Sequence, residues 1–181
     1  MERHRVYFYE EDSSLAESIG EFVKEGLDQK QTVIVIATDQ RRFDLKKRLW
    51  ADNIIGLSAP HDDQYVTLDA STTLSLFMRN GWPDKRLFFS VVGHMVQSTH
   101  KNTAVRIYQE ITAVLLADRN YLVGLQVERL LAHLVENQGH SLLCGYPASA
   151  FKGADTEHFL REICGCHSES IGRDKCQEKA A

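Results

Sequence analysis

Residues 32–38, TVIVIAT, hold no charged side chain, and every position is apolar or a threonine. A strand with one wet face alternates polar and apolar residues, so an unbroken run like this belongs to a strand covered on both faces. Such a strand needs a helical layer above and below it. The rest of the chain supplies both. Shorter apolar runs at VYFY (6–9), YVTLDA (65–70), TAVRIY (103–108) and HSLLCGY (140–146) alternate with stretches of helical periodicity. The pattern predicts an α/β fold, a three-layer α/β/α arrangement around a mostly parallel sheet of about five strands.

The helices follow from spacing. Leu15, Ile19, Phe22, Val23 and Leu27 recur on one face, entered through a Ser14-x-x-Glu17 pattern that resembles a capping box. DQRRFDLKKRLW (39–50) forms the second helix, with Asp39 as its expected cap. A short helix around STTLSLFM breaks at GWPD (81–84), and a longer one starts near Lys85. Ile111–Leu116, Leu122–Val135 and EHFLREICGCHS complete the set. The chain of 181 residues suits one domain, residues 1–170, followed by a polar tail at 171–181.

A formal net charge of -4 does not suit a general nucleic-acid surface. No apolar run approaches the roughly 20 residues that span a bilayer, and MERHRVYFYEED is too polar for a signal peptide. A cytoplasmic protein with no direct nucleic-acid or membrane partner is the simplest reading. On that reading Cys144, Cys164, Cys166 and Cys176 are thiols.

The junction VYFYEEDSSL (6–15) has the place, in a nucleotide-binding α/β protein, of a glycine-rich phosphate loop. Neither G-x-x-x-x-G-K-[ST] nor a post-strand G-x-G-x-x-G occurs anywhere. Glu10, Glu11 and Asp12 would repel a phosphate there. No nucleophile elbow is present either, so nothing in the chain marks an enzyme. Ligands of open parallel sheets nonetheless collect outside the strand carboxyl ends. Those ends present Tyr9, Glu10, Thr38, Asp69, Gln109, Glu110, Cys144 and Tyr146, which suit a compact organic ligand with a polar handle; each is alternatively an ordinary cap or turn residue. Glu110, between an apolar strand and an apolar helix, is expected to be partly buried and to need a partner. Arg106 on the same strand is the candidate and joins the set. The other reading of Glu110 is a carboxylate favoured by a helix N-terminus. Arg41 and Arg42, in the first turn of their helix, are either an anion handle or a solvated face.

Cys164-Gly165-Cys166-His167 lacks the paired C-x-x-C spacing of structural zinc and the C-x-x-C-H of haem attachment. HDD (61–63), His94 and His133 read as surface or packing residues. No metal site and no cofactor are expected.

HRVYFYEEDSSL, VIVIATDQRRFDLKKRL, LDASTTLSLFMRNGWPD, VRIYQEITAVLL, LLCGYP and ICGCHS, taken in order from His4 to Ser168, resemble the MEDS (methanogen/methylotroph sensory) domain family. The resemblance implies a RecA-like fold that has lost its phosphate loop, and a sensory role in binding small organic molecules such as hydrocarbon derivatives. It also implies a signalling partner, a histidine kinase or a transcriptional regulator. Because the chain ends soon after the resembling region, either that partner is expected in trans or the chain is a fragment of a larger design, with homo-oligomerisation also open. The family's R-x-[FY]-G-E-M is matched by Arg106, Tyr108 and Glu110, while Gln109 and Ile111 depart from it. The larger side chain at 109 is expected to narrow or reshape the pocket, so the family's ligand does not carry over. Ile163, Cys164, His167 and Ser168 match an I-C-x-x-H-S pattern to which Cys166 is an addition, and this argues against a zinc pair. Two other readings stay open: a protein-interaction module with a closed pocket, which exposed apolar surface at Trp50 or Trp82 would favour, and a residual nucleotide-binding protein.

Overall fold

The computed structural model of the protein describes residues 3–56, 64–99, 104–136, 139–152 and 156–172. β1 (Arg3–Tyr9) leads into α1 (Asp12–Asp28), β2 (Thr32–Ala37), α2 (Asp39–Ala51), β3 (Tyr65–Asp69) and α3 (Ala70–Phe77). A two-stranded hairpin, β4 (Met78–Arg79) and β5 (Trp82–Pro83), precedes α4 (Lys85–Phe88). α4 runs through a π-turn at Phe89–Gly93 into α5 (His94–Thr99). β6 (Val105–Gln109), α6 (Ile111–Ala117), α7 (Tyr121–Val135), β7 (Ser141–Pro147), α8 (Glu157–Cys166) and β8 (Glu169–Gly172) follow.

The other six strands form one sheet of order β3-β2-β6-β7-β1-β8, and every pairing in it is parallel. β2 is buried at all six positions, as its unbroken apolar run requires. Val33 and Val35 turn towards α1 and α2, where they meet Leu15, Ile19, Phe22, Leu27, Leu45 and Leu49. Ile34 and Ile36 turn the other way, onto a larger core that includes Phe77, Phe88, Ile111, Leu131 and Leu160. Each fully buried side chain of this kind contributes about 1.5–3 kcal/mol relative to exposure. The outcome is a three-layer α/β/α domain, with α1 and α2 on one face of the sheet and the later helices on the other.

Five strands of this sheet were legible in the sequence; the sixth, β8, was not. Four residues with one large apolar side chain carry no periodicity, and β8 is defined by its ladder to β1. Ile171 and Gly172, the start of the expected tail, belong to that strand, whereas residues 173–181 lie outside the described residues, as does HDD (61–63). Two caps differ from expectation. α1 begins at Asp12 after Glu11, with no side-chain cap, so Ser14 and Glu17 sit inside the helix. α2 is capped by Thr38, whose hydroxyl accepts from the Arg41 N–H, and not by Asp39. Cys144 and Cys166 form no disulfide, while Cys164 is disulfide-bonded, against the all-thiol expectation.

Candidate functional site

Successive residues of a strand face opposite sides of the sheet, and this rule divides the expected set of site residues into two clusters. Tyr108 packs in the α1/α2 layer, and Glu110 bonds to that same layer. Gln109 faces the other way and bonds to Glu128 of α7. On β7, Cys144 and Tyr146 also reach Glu128, while the intervening Gly145 lies against the Tyr108 hydroxyl.

The first cluster lies at the carboxyl edge between β2 and β6. These strands are neighbours, yet the helices that follow them, α2 and α6, lie on opposite faces. Such a switch point is where an open α/β sheet leaves a crevice. Glu110 fills it. Its Oε2 accepts from the Thr38 backbone N–H at 3.1 Å and the Thr38 hydroxyl at 3.2 Å. Its Oε1 accepts from Arg41 Nε and from the Tyr108 hydroxyl, both at 2.8 Å. Arg41 Nη2 donates in turn to Asp12 at 2.6 Å, from the first turn of α1. The Arg41 guanidinium also lies 5.7 Å from the centre of the Tyr9 ring, within cation–π range.

The electrostatics keep every donor protonated. Burial pushes the Tyr108 phenol well up, and the Glu110 charge adds to it. Burial and Glu110 raise Tyr9 too, against a smaller opposing effect of Arg41. Burial lowers the Arg41 pKa, but its bonds to Asp12 and Glu110 outweigh that and hold the guanidinium above its usual range. The cluster is therefore an internal carboxylate bound at the N-terminus of α2, the kind of place where a phosphate would otherwise sit.

The other expected residues fall into place around these clusters. Arg106 is not the partner of Glu110. Four residues along a strand is about 13 Å, and Arg106 instead donates to Glu25 and Gln31, each at 2.7 Å, near the opposite end of β6. The true partner, Arg41, comes from the next element along the sheet. Asp69 caps α3 by accepting from the Thr72 N–H at 2.7 Å, and this bond holds its carboxyl below the usual range. Arg42 links it to the first cluster's helix at 3.5 Å. Glu10 is exposed at the β1–α1 turn. Gln109 lies on the opposite face from Glu110, so the larger side chain at 109 does not narrow the Glu110 crevice.

The second cluster is buried under α7. Glu128 is fully buried. Its Oε1 accepts from Gln109 Nε2 at 3.0 Å and from the Tyr146 hydroxyl. Around its Oε2 stand His167 Nε2 at 3.4 Å, His4 Nε2 at 3.5 Å and Cys144 Sγ at 3.7 Å. Burial would raise the Glu128 carboxyl, but His4, His167 and Tyr146 outweigh it and bring the value down to about 2. Burial and Glu128 push the Cys144 thiol and the Tyr146 phenol well up. A cavity of about 390 Å³ opens beside this cluster, lined by residues that include His4, His133, Glu136 and Cys166.

Sequence reasoning missed His4, Asp12, Glu128 and the role of His167. Two of these carry a local signal. Gly124, Glu128, Leu131 and Val135 form the buried stripe of α7, so Glu128 is a carboxylate in an apolar register. His4, Val6 and Phe8 alternate as the inward side of β1. A polar residue repeating at the period of its buried neighbours is the sign that a buried polar group needs a partner.

A family model described as the MEthanogen/methylotroph, DcmR Sensory domain (MEDS) matches residues 3–168. Comparison with curated proteins gives no match, and neither does comparison with solved structures. No helix among the described residues is long and apolar enough to cross a membrane.

Proposed function

The chain belongs to the MEDS sensory-domain family, and on that premise we propose that it is a cytoplasmic, non-catalytic receptor for a small organic molecule of the hydrocarbon-derivative class. It binds at the carboxyl edge of the sheet and passes the signal to a histidine kinase or a transcriptional regulator. One observation carries the reading: Glu110 sits on the N-terminus of α2 at the sheet's switch point. The N-terminus of α2, an anion site by its backbone geometry, already has its anion. Tyr9, half-buried beside Arg41, supplies an apolar ring face, and the Arg41–Asp12 pair supplies a polar handle. A ligand that bridges α1 and α2 there would favour one relative setting of the two helices, and a partner that reads that surface would sense the shift.

The test is thermal unfolding against a panel of short alcohols, alkylamines and halogenated alkanes. A compound present at about 100 times its Kd stabilises the folded state by roughly 2.7 kcal/mol, a rise of about 5–10 °C for a domain of this size. Tyr9→Ala should abolish the rise while leaving the unliganded protein folded. ATP with Mg²⁺ should give no heat of binding in calorimetry, and micromolar ATP binding would contradict the reading.

A second reading, a protein-interaction module, is favoured by one specific feature: Trp50 and Trp82 are about half exposed, at 52% and 49%. A folded chain that responds to no compound in the panel, and whose self-association is lost in Trp82→Ala, would support this reading over the first.

A further inference from the structure

We propose, against the sequence expectation of no metal site, that His4, His167, Cys144 and Glu128 bind one divalent transition-metal ion, with zinc the best match. The proposal stands independently of the sensory reading. One ligand atom from each of the four residues lies within 4.8 Å of all the others. His4 Nε2 is 3.3 Å from Cys144 Sγ, and the separations from Glu128 Oε2 run 3.4, 3.5 and 3.7 Å. Ligand atoms around a four-coordinate zinc stand about 3.3–3.8 Å apart, given bond lengths of about 2.0–2.3 Å. The four measured separations fall within that range before any side chain moves.

The chemistry of the donor set points the same way. Two imidazoles, a thiolate and a carboxylate are ligands that zinc accepts. A dication with one thiolate and one carboxylate is neutral overall, which suits a fully buried site. An ion also supplies the charge that ionises a coordinating thiol, so Cys144 need not be a thiolate beforehand.

The supporting contacts are those a metal site requires. His167 Nδ1 lies 2.7 Å from the Ile163 carbonyl. Donating there leaves the lone pair of the neutral ring on Nε2, the nitrogen that faces Glu128. The second carboxylate oxygen of Glu128 is held by Gln109 and Tyr146, and Gln109 Oε1 accepts from the Thr112 N–H at 3.3 Å. His4 is the exception: its Nδ1 is buried with no hydrogen-bond partner among the described residues. His4 also lines the 390 Å³ cavity. It is therefore the ligand most easily displaced, and the side from which an outside molecule would reach the ion.

The ligands come from β1, α7, β7 and the turn after α8, so no short motif could announce them. Cys166, the extra thiol of the C-G-C-H run, is outside the four-residue group and lines the cavity instead.

The test uses the full chain, purified without a histidine tag, stripped with chelator and titrated with Co²⁺. The expected result is saturation at one equivalent per chain, with the intense visible bands of tetrahedral cobalt and a thiolate-to-cobalt charge-transfer band. Added Zn²⁺ should bleach both. Cys144→Ser should remove the charge-transfer band, His167→Ala should weaken binding at least about 10-fold, and Cys166→Ser should leave the titration unchanged. A folded wild-type chain that binds no cobalt would overturn the proposal, and would leave a Glu128–histidine ion pair as the account of the cluster. A charge-transfer band that survives Cys144→Ser but vanishes in Cys166→Ser would overturn the ligand assignment.

Discussion

Glu110→Ala should destabilise the domain by about 3–5 kcal/mol, measured by urea unfolding. Breaking a buried ion pair from one side leaves the remaining charge short of its buried partner, with Arg41 keeping only the exposed Asp12, and that cost is the larger part of the effect. The Arg41 and Glu110 side chains are only 11% and 6% exposed, so water cannot replace what is lost. The Thr38 N–H and the Tyr108 hydroxyl lose an acceptor in the same step. Arg41→Met should cost less, because Glu110 keeps three of its donors. The double variant should cost less than the sum of the two, by about 1–3 kcal/mol of coupling. A second consequence separates this account from a plain packing defect. Removing the internal carboxylate frees the N-terminus of α2 and the Nε edge of the Arg41 guanidinium, so sulfate or phosphate should stabilise Glu110→Ala and not the wild type. A loss below about 1 kcal/mol, with no response to sulfate, would contradict the assigned role of Glu110.

Gly145→Ala is the second large effect. A Cβ at this position on β7 would lie 2.7 Å from the Tyr108 hydroxyl oxygen, 3.2 Å from Leu15 Cδ1 and 3.3 Å from Tyr108 Cε2. None of these neighbours is a flexible tip. Tyr108 is a fully buried ring, and its hydroxyl is tied to Glu110 at 2.8 Å. The ring must move and drag that hydrogen bond with it. Overpacking of this kind costs about 1–3 kcal/mol, and the loss should be visible as a lower urea midpoint with unchanged slope. Tyr108→Phe removes the closest atom and should recover part of the loss in the double variant. If Gly145→Ala were neutral alone, β7 would not press on Tyr108 as closely as the geometry requires.

Both variants act through residues whose positions the sequence showed only in part. The layered fold was legible because TVIVIAT and its four companion runs are patterned at every position. β8 was not, since a backbone ladder to β1 defines it and its side chains show no period. Glu110 was legible as a carboxylate wedged between apolar elements. Its partner was not: Arg106 is nearer in sequence, but distance along a strand carried it away, and Arg41 arrives from α2 by topology. The candidate residues at the strand ends were read as one set, yet Gln109, Cys144 and Tyr146 sit under α7, across the sheet from Glu110. The alternation rule could have divided that set on β6 and β7, because it needs only the strand boundaries. His4 and Glu128 were hidden for a different reason. They meet across 124 residues of chain, a closure that only the completed sheet dictates.

We propose that the carboxyl edge at Tyr9, Thr38, Arg41 and Glu110 receives a small organic molecule, Glu110 itself holding the anion position at the N-terminus of α2. The most direct measurement is an amide chemical-shift map of isotope-labelled protein, titrated with whichever panel compound gives the largest thermal shift. The account predicts saturable changes centred on residues 9–12, 38–41 and 110, with none in Tyr9→Ala. Saturable changes centred elsewhere, with these amides unmoved, would contradict it.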